Sequence, residues 1–324
     1  MQMYLQFGHG MMAHTRALLS TWHSGGAILS PRDLTAQQLQ RVADEVVRSG
    51  AESLLDPQCY STQADHYRLT THAYWGIVAR HPNEVFQGGV HTAELLRELS
   101  ALGQTLNVSR NILPLPLAAA VTDDYFAACE AVIEEAPQHF GQSPVLGTIA
   151  LSSAALLDET QIENLIERAR TWNTVAGFYV VAETPGAYLV ENPLWLANFL
   201  ILVSGLKLIR KSVLVGYANH QTLCLAAANV DSFASGTWLN VRAFQPDKFF
   251  TTAEDEVSRR ATWFYCPQAL SEYKLPFLDL ALTAGVLDRM RPDPSLGSTY
   301  AAPLFQGLPP SSVSWGSKMR FAIS

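Results

Sequence analysis

Two carboxylates stand where short apolar runs end: Asp56 closes SLLD (53–56) and Glu183 closes GFYVVAE (177–183). Packing gives a carboxylate no reason to sit there. A partly desolvated one can donate or take a proton, or attack as a nucleophile. Other polar residues end similar runs. Ser30, Arg32 and Asp33 come at and after the end of AILS (27–30), and Gln58 and Tyr60 follow Asp56. Asn219 closes SVLVGYAN (212–219) with His220 next, and Ser235 and Gly236 end the run VDSFASG (230–236), with Thr237 next and Arg242 beyond. Backbone N–H groups in such a Ser-Gly-Thr turn suit a phosphate. Plainer roles exist as well: Asp33 can cap the next helix, and His220 can be an ordinary first-turn residue.

Several chemistries lack their residues. The chain has no GxGxxG, P-loop, HExxH or GxSxG motif. Cys59, Cys129, Cys224 and Cys266 lie far apart, which fits free thiols in a reducing compartment. His66 and His72 are six apart and share no helix face, so no metal site is expected, and no cofactor either. No lysine ends an apolar strand and no His-x-His follows the first, which sets aside aldolase-like and metal-dependent hydrolase-like barrels.

The elements that must position these residues repeat. Eight strand candidates run from AILS through SLLD, LNVSRNILPLP (106–116), VLGTIALS (145–152), GFYVVAE, SVLVGYAN and VDSFASG to TWFYCP (262–267). Helical patterns separate them, one capped by Thr35 with Leu39, Val42, Val46 and Val47 on one face. Apolar strands alternating with amphipathic helices predict an α/β fold, a (β/α)8 TIM barrel over 1–291. An insertion at about 60–104 follows the second strand, and 292–324 is a Pro/Gly/Ser-rich C-terminal extension. Such a barrel gathers strand-end residues at one mouth.

Composition narrows the field further. The 324 residues carry 22 basic and 29 acidic side chains, a formal charge of −7, with 48% hydrophobic and 16% charged residues. That excludes a disordered chain, and one that grips nucleic acid by net charge alone. So few charges suggest a surface partly covered by a partner. The apolar stretch LWLANFLILVSGLKLIRK is interrupted by Asn198 and ends in charge, short of the ~20 residues of a membrane span. No membrane association and a cytoplasmic location are expected, since the N-terminus shows no signal-peptide pattern.

Three stretches together resemble the tRNA-guanine transglycosylase superfamily, barrels that exchange guanine for a 7-deazaguanine in RNA or DNA. SLLDPQCY is similar to the family strand ending Asp-Ser-Gly-Gly-Phe, with Asp56 at the Asp and Tyr60 near the Phe. FYVVAE is similar to its base-binding strand, with Glu183 at the Glu. SVLVGYANHQTLCLAAANVDSFASGTWLNVRAF resembles its Met-Gly-Val-Gly stretch and the later Gly-Val-Asp-Met-Phe-Asp-Cys, placing Gly216, Val230, Asp231, Phe233 and Arg242. The departures are Ala234 at the nucleophile position and no Cys-x-Cys-x-x-Cys zinc site.

The resemblance implies base exchange or N-glycosidic hydrolysis on a guanine or 7-deazaguanine base or nucleotide, in DNA or RNA. Asp56 and Asp33 would be catalytic. Gln58, Tyr60, Glu183, Asn219, His220, Ser235, Gly236, Thr237 and Arg242 would bind substrate. The alternative is a non-catalytic subunit of a DNA-modification or phage-defence complex. It would bind nucleic acid, or a protein partner through the C-terminal tail.

Overall fold

The computed structural model describes residues 1–8, 18–19, 25–186, 189–236, 241–251, 262–293 and 301–313. The chain divides into two units, Met1–Thr251 and Thr252–Ser324. In the first unit nine strands form one sheet: β1 (Gln2–Gln6), β2 (Gly26–Leu29), β3 (Glu52–Leu55), β4 (Asn111–Ile112), β5 (Leu117–Ala118), β6 (Val145–Leu151), β7 (Gly177–Ala182), β8 (Ser212–Val215) and β9 (Ser232–Ser235). Every pairing in it is parallel. The order is β3-β2-β1-β9-β8-β7-β6-β4, with β5 also on β6.

The two ends of that path meet where the Ser109 N–H, just before β4, donates to the Ser53 carbonyl in β3 at 2.9 Å. The sheet therefore curls into a (β/α)8 barrel. Its fourth position is split into β4 and β5, because Pro114 and Pro116 between them have no N–H to offer a ladder.

Burial explains why the strands read as continuous apolar runs. β2, β6 and β7 are buried at every residue, as strands covered on both faces must be. Leu5, Ala27, Leu29 and Leu55 pack with Leu39, Val42 and Val46 of α1 (Ala36–Arg48), so they face the outer layer. Strand alternation then turns Tyr4, Ile28 and Leu54 into the barrel. Val47, expected on the buried face of α1, is 41% exposed, and Ala43 is buried instead. The apolar stretch near 200 is the barrel helix Pro193–Leu208, whose buried Asn198 donates to the Leu156 carbonyl at 2.7 Å. Among the described residues no helix is long and apolar enough to cross a membrane.

The Thr35 cap forms as a reciprocal pair. Its hydroxyl accepts from the Gln38 N–H at 3.4 Å, and Gln38 Oε1 accepts from the Thr35 N–H at 2.9 Å. Thr35→Ala should cost about 1 kcal/mol in urea unfolding. An unchanged midpoint would mean that packing alone holds α1.

Two strand assignments are corrected. QMYLQ, which the polar ends Gln2 and Gln6 disguise, is a barrel strand at the closure between β2 and β9. TWFYCP is not one. Trp263–Cys266 pairs antiparallel with Ser271–Lys274, and its residues alternate half-buried and buried, as in a one-sided hairpin. The first unit thus ends at Thr251, where the sequence placed the barrel's end at 291. The second unit packs this hairpin with the helix Leu275–Thr283 around Phe264, Leu278, Leu287, Leu304 and Phe305.

Candidate functional site

The outward packing of Leu5, Leu29 and Leu55 turns the residues that follow them, Gln6, Ser30 and Asp56, toward the barrel axis. Barrel interiors are usually layers of bulky apolar side chains. Here the layer at the C-terminal strand ends is polar and closed: Gln6, Ser30, Asp56 and Gln58 are each 0–1% exposed.

Asp56 is the centre of this layer. Its Oδ2 accepts from the phenols of Tyr60 at 2.8 Å, Tyr179 at 3.2 Å and Tyr217 at 3.4 Å, and its Oδ1 from the Gln58 N–H at 3.0 Å. The Gln58 side chain extends the network. Its Nε2 donates to Ser30 Oγ at 2.8 Å and Tyr217 Oη at 3.2 Å, and its Oε1 accepts from the Arg32 N–H at 2.8 Å. Ser30 Oγ donates to Asp33 Oδ2 at 2.8 Å, and Arg32 pairs with Asp33 at 3.2 Å. His72, buried with Nε2 3.0 Å from the carbonyls of Pro31 and Leu34, pins the loop that carries Arg32 and Asp33.

Burial lifts the Asp56 carboxyl from 3.8 to about 6, against the downward pull of the donors from Tyr60, Gln58, Tyr179 and Tyr217. Burial, and then the charge of Asp56, push all three phenols well above their ordinary value, so they remain donors. A carboxyl near 6 can take and return a proton around neutrality. Lys248 falls to about 8, mainly through burial and then through the nearby Arg32 charge.

The backbone is strained at two of these residues. Gln58 (φ 57°) and Tyr217 (φ 52°) are left-handed, a rare state for a side chain as bulky as tyrosine that costs about 1–3 kcal/mol. Both aim polar atoms into the Asp56 network. Gly216 makes room for it, since a Cβ there would lie 2.4 Å from Tyr179 Oη. Gln6 Nε2 is buried without a hydrogen-bond partner among the described residues, leaving a donor beside Tyr179. A small cavity lined by Arg32, Asp33, Tyr217, Gln245, Lys248 and Phe249 adjoins the network. Tyr217 therefore touches both the cavity and Asp56.

The structure brings Asp56, Gln58, Tyr60 and Asp33 together. Glu183 lies just beyond the end of β7, bridged to Phe244, and among the described residues makes no hydrogen bond to the Asp56 network. Its Oε2 accepts from the Ser153 N–H at 2.7 Å, tying β7 to the turn after β6. Asn219 caps the 3-10 turn His220–Ala228, accepting from the Gln221 N–H at 2.9 Å, and His220 is that turn's first residue. Ser235 ends β9 opposite Leu5 of β1. The Gly236 carbonyl accepts from Arg242 Nε at 2.6 Å, so that guanidinium folds back on the loop expected to cradle phosphate. Thr237 lies outside the described residues.

Sequence reasoning missed Gln6, Tyr179 and Tyr217. Reading QMYLQF as a strand would have found Gln6, and strict alternation along FYVVAE would have set Tyr179 on one face and Val180 on the other.

No protein-family model matches the chain, and no curated protein matches it. Solved structures that overlap it include the xylanase 10B of Clostridium thermocellum, its CBM22-1 and GH10 modules complexed with xylohexaose. That overlap has TM-score 0.46 and 9% identity, over 75% of this chain and 61% of that one. A GH18 chitinase from Pseudoalteromonas aurantia overlaps with TM-score 0.44 and 10% identity, over 74% and 94%. A psychrophilic family 10 endo-β-1,4-xylanase gives 0.44 and 7%, over 78% and 94%. Overlaps this loose carry neither activity nor residue roles to this chain.

The resemblance to tRNA-guanine transglycosylases is withdrawn, and with it the handling of guanine, 7-deazaguanine or nucleotides. No family model matches the chain, so nothing beyond those short stretches supports that family. The residues disagree as well: Glu183 is spent on Ser153, and Ala234 is a fully buried wall residue of β9 whose carbonyl accepts from the Ala218 N–H at 2.8 Å. The nucleic-acid-binding subunit is withdrawn with it. Lys207 is paired with Asp231 at 2.6 Å, and Lys211 donates to the carbonyls of Trp172 and Val175 at 2.7 and 2.8 Å. Both ammonium groups are thereby engaged within the first unit.

Proposed function

We propose that the first unit is an acid–base enzyme acting on a small, hydroxyl-bearing anion such as a sugar phosphate or sugar acid. One observation carries this reading: Asp56, buried and near pKa 6, is joined to a cavity through Tyr217, which a strained backbone holds between them. The cavity as it stands has room for about one water, so a substrate would have to part Arg32, Lys248 and Phe249 to exchange a proton with the Tyr217 hydroxyl, while Asp56 supplies or accepts the proton behind it. Arg32 and Lys248 outnumber Asp33 among the charged groups of the cavity lining, which favours an anionic group there. Asp33 would orient Arg32 and Ser30 rather than react. Glu183, Asn219 and Arg242 would position loops.

A panel of sugar phosphates, sugar acids and neutral sugars, tested for binding and then for turnover, checks this. A bound anion whose kcat/KM profile shows a limb near pH 6 is expected. Asp56→Asn should abolish that limb and lower turnover by about 10²–10⁴-fold with binding retained. Full turnover in Asp56→Asn, or no ligand from the panel, would make the Asp56 cluster a structural group of the barrel interior.

A further inference from the structure

A second cluster lies in the connection between β3 and β4, outside the Asp56 hydrogen-bond network. His81 follows the short helix Trp75–Arg80, and His91 sits in the first turn of the helix Val90–Thr105, with Glu84 in the turn between them. We propose that His81, Glu84 and His91 bind one divalent transition-metal ion, zinc by the type of its ligands.

One ligand atom from each residue lies within 4.8 Å of the others. His81 Nδ1 is 3.2 Å from Glu84 Oε2. His91 Nδ1 is buried and has no hydrogen-bond partner among the described residues. Two imidazoles and one carboxylate form a common zinc set that leaves a fourth position for water. Their spacing, His-x2-Glu-x6-His, matches no local metal motif, since no two of the three are four apart on one helix.

The local fold converges these side chains for no other visible purpose. The N–H groups of Glu84 and Val85 both donate to the His81 carbonyl at 3.1 Å, forming a turn with Glu84 on the side of His81. Thr92 Oγ1 donates to the Val85 carbonyl at 2.9 Å and ties the next helix to that turn. Gly89, at φ 75° and ψ −156°, holds a conformation that is essentially glycine's alone. It swings the helix start so that the His91 ring stacks on His81, with centroids 3.5 Å apart and planes 14° apart. An imidazole binds metal along its ring plane, so metal entry must splay this stack. Glu84 and His81, at 55% and 30% side-chain exposure, have the freedom to follow. The ion would staple the two helices that flank the turn at 81–89.

The test uses the full chain, stripped with a chelator and reloaded with zinc chloride alone, with metal counted by atomic emission and affinity read by calorimetry. One zinc per chain is expected. At about 100 times its Kd, zinc should raise the folding equilibrium constant about 100-fold. His81→Ala and His91→Ala should each weaken binding by more than about 100-fold, since losing a ligand exceeds losing an outer-shell partner. His91→Asn replaces His91→Ala if the latter fails to fold by circular dichroism. Less than half an equivalent of zinc, zinc retained by both histidine variants, or zinc lost only with Cys224→Ser would each overturn the site.

Discussion

Between pH 7 and pH 4 the wild-type chain should gain about 2.4 kcal/mol of stability relative to Asp56→Asn. Asp56 goes from 3.8 unfolded to about 6 in the folded barrel, because burial penalises its charge more than the surrounding donors support it. A raised carboxyl pKa means that the folded chain holds its proton more tightly than the unfolded chain. Stability is therefore fully present below about pH 3.8, falls as pH rises through the window to about 6, and is level above it. Asparagine is the neutral isostere of the protonated side chain, so the variant lacks this component and keeps the others. Urea midpoints of both proteins at pH 7, 6, 5 and 4 isolate the difference. A constant difference would show that Asp56 ionises as in water, and the acid–base reading would fall with it. The expected result also means that at neutral pH the ionised Asp56 destabilises the barrel. Such a cost supports the proposed acid–base role of Asp56.

Gly26→Ala should destabilise the barrel by about 3 kcal/mol or more. Gly26 opens β2 between Tyr4 of β1 and Glu52 of β3. A Cβ there would lie 1.8 Å from the Glu52 carbonyl oxygen, 2.6 Å from its carbon and 2.9 Å from its Cα. All three are backbone atoms, so no side chain can turn aside and the two strands must separate. Gly76→Ala is the matched control, since it is exposed in the helix Trp75–Arg80 and a Cβ would meet nothing within 4 Å. That change should stabilise by about 0.5–1 kcal/mol through the unfolded chain and helix propensity. Equal urea midpoints for the two variants would mean that β2 and β3 are not in the register described.

The sequence showed the barrel more clearly than its ends. Fully buried strands such as VLGTIAL and GFYVVA leave an unbroken apolar signal, and Thr35 marks the helix start with its own side chain. Strand β1 escaped because closure needs only one short segment between β2 and β9, and its inward face carries Gln6 where an apolar residue was sought. The half-apolar strand Trp263–Cys266 took its place in the count, although only one of its faces is covered.

The site divides in the same way. The end of SLLD exposed Asp56 as a misplaced charge, and its neighbours Gln58 and Tyr60 came with it by proximity along the chain. Which carboxylate would stay in the polar layer was beyond local pattern. Glu183 and Asp56 look alike as strand ends, yet Glu183 closes on Ser153 while three phenols from three segments of the chain enclose Asp56. Local sequence determines whether a residue sits on a strand, which face it takes and where a helix begins, because those depend on neighbours a few residues away. Tyr179 and Tyr217 reach Asp56 across 123 and 161 residues, and His91 stacks on His81 only through the turn at Gly89. Closing the barrel brings those groups within hydrogen-bonding range and excludes the water that would otherwise keep Asp56 an ordinary acid.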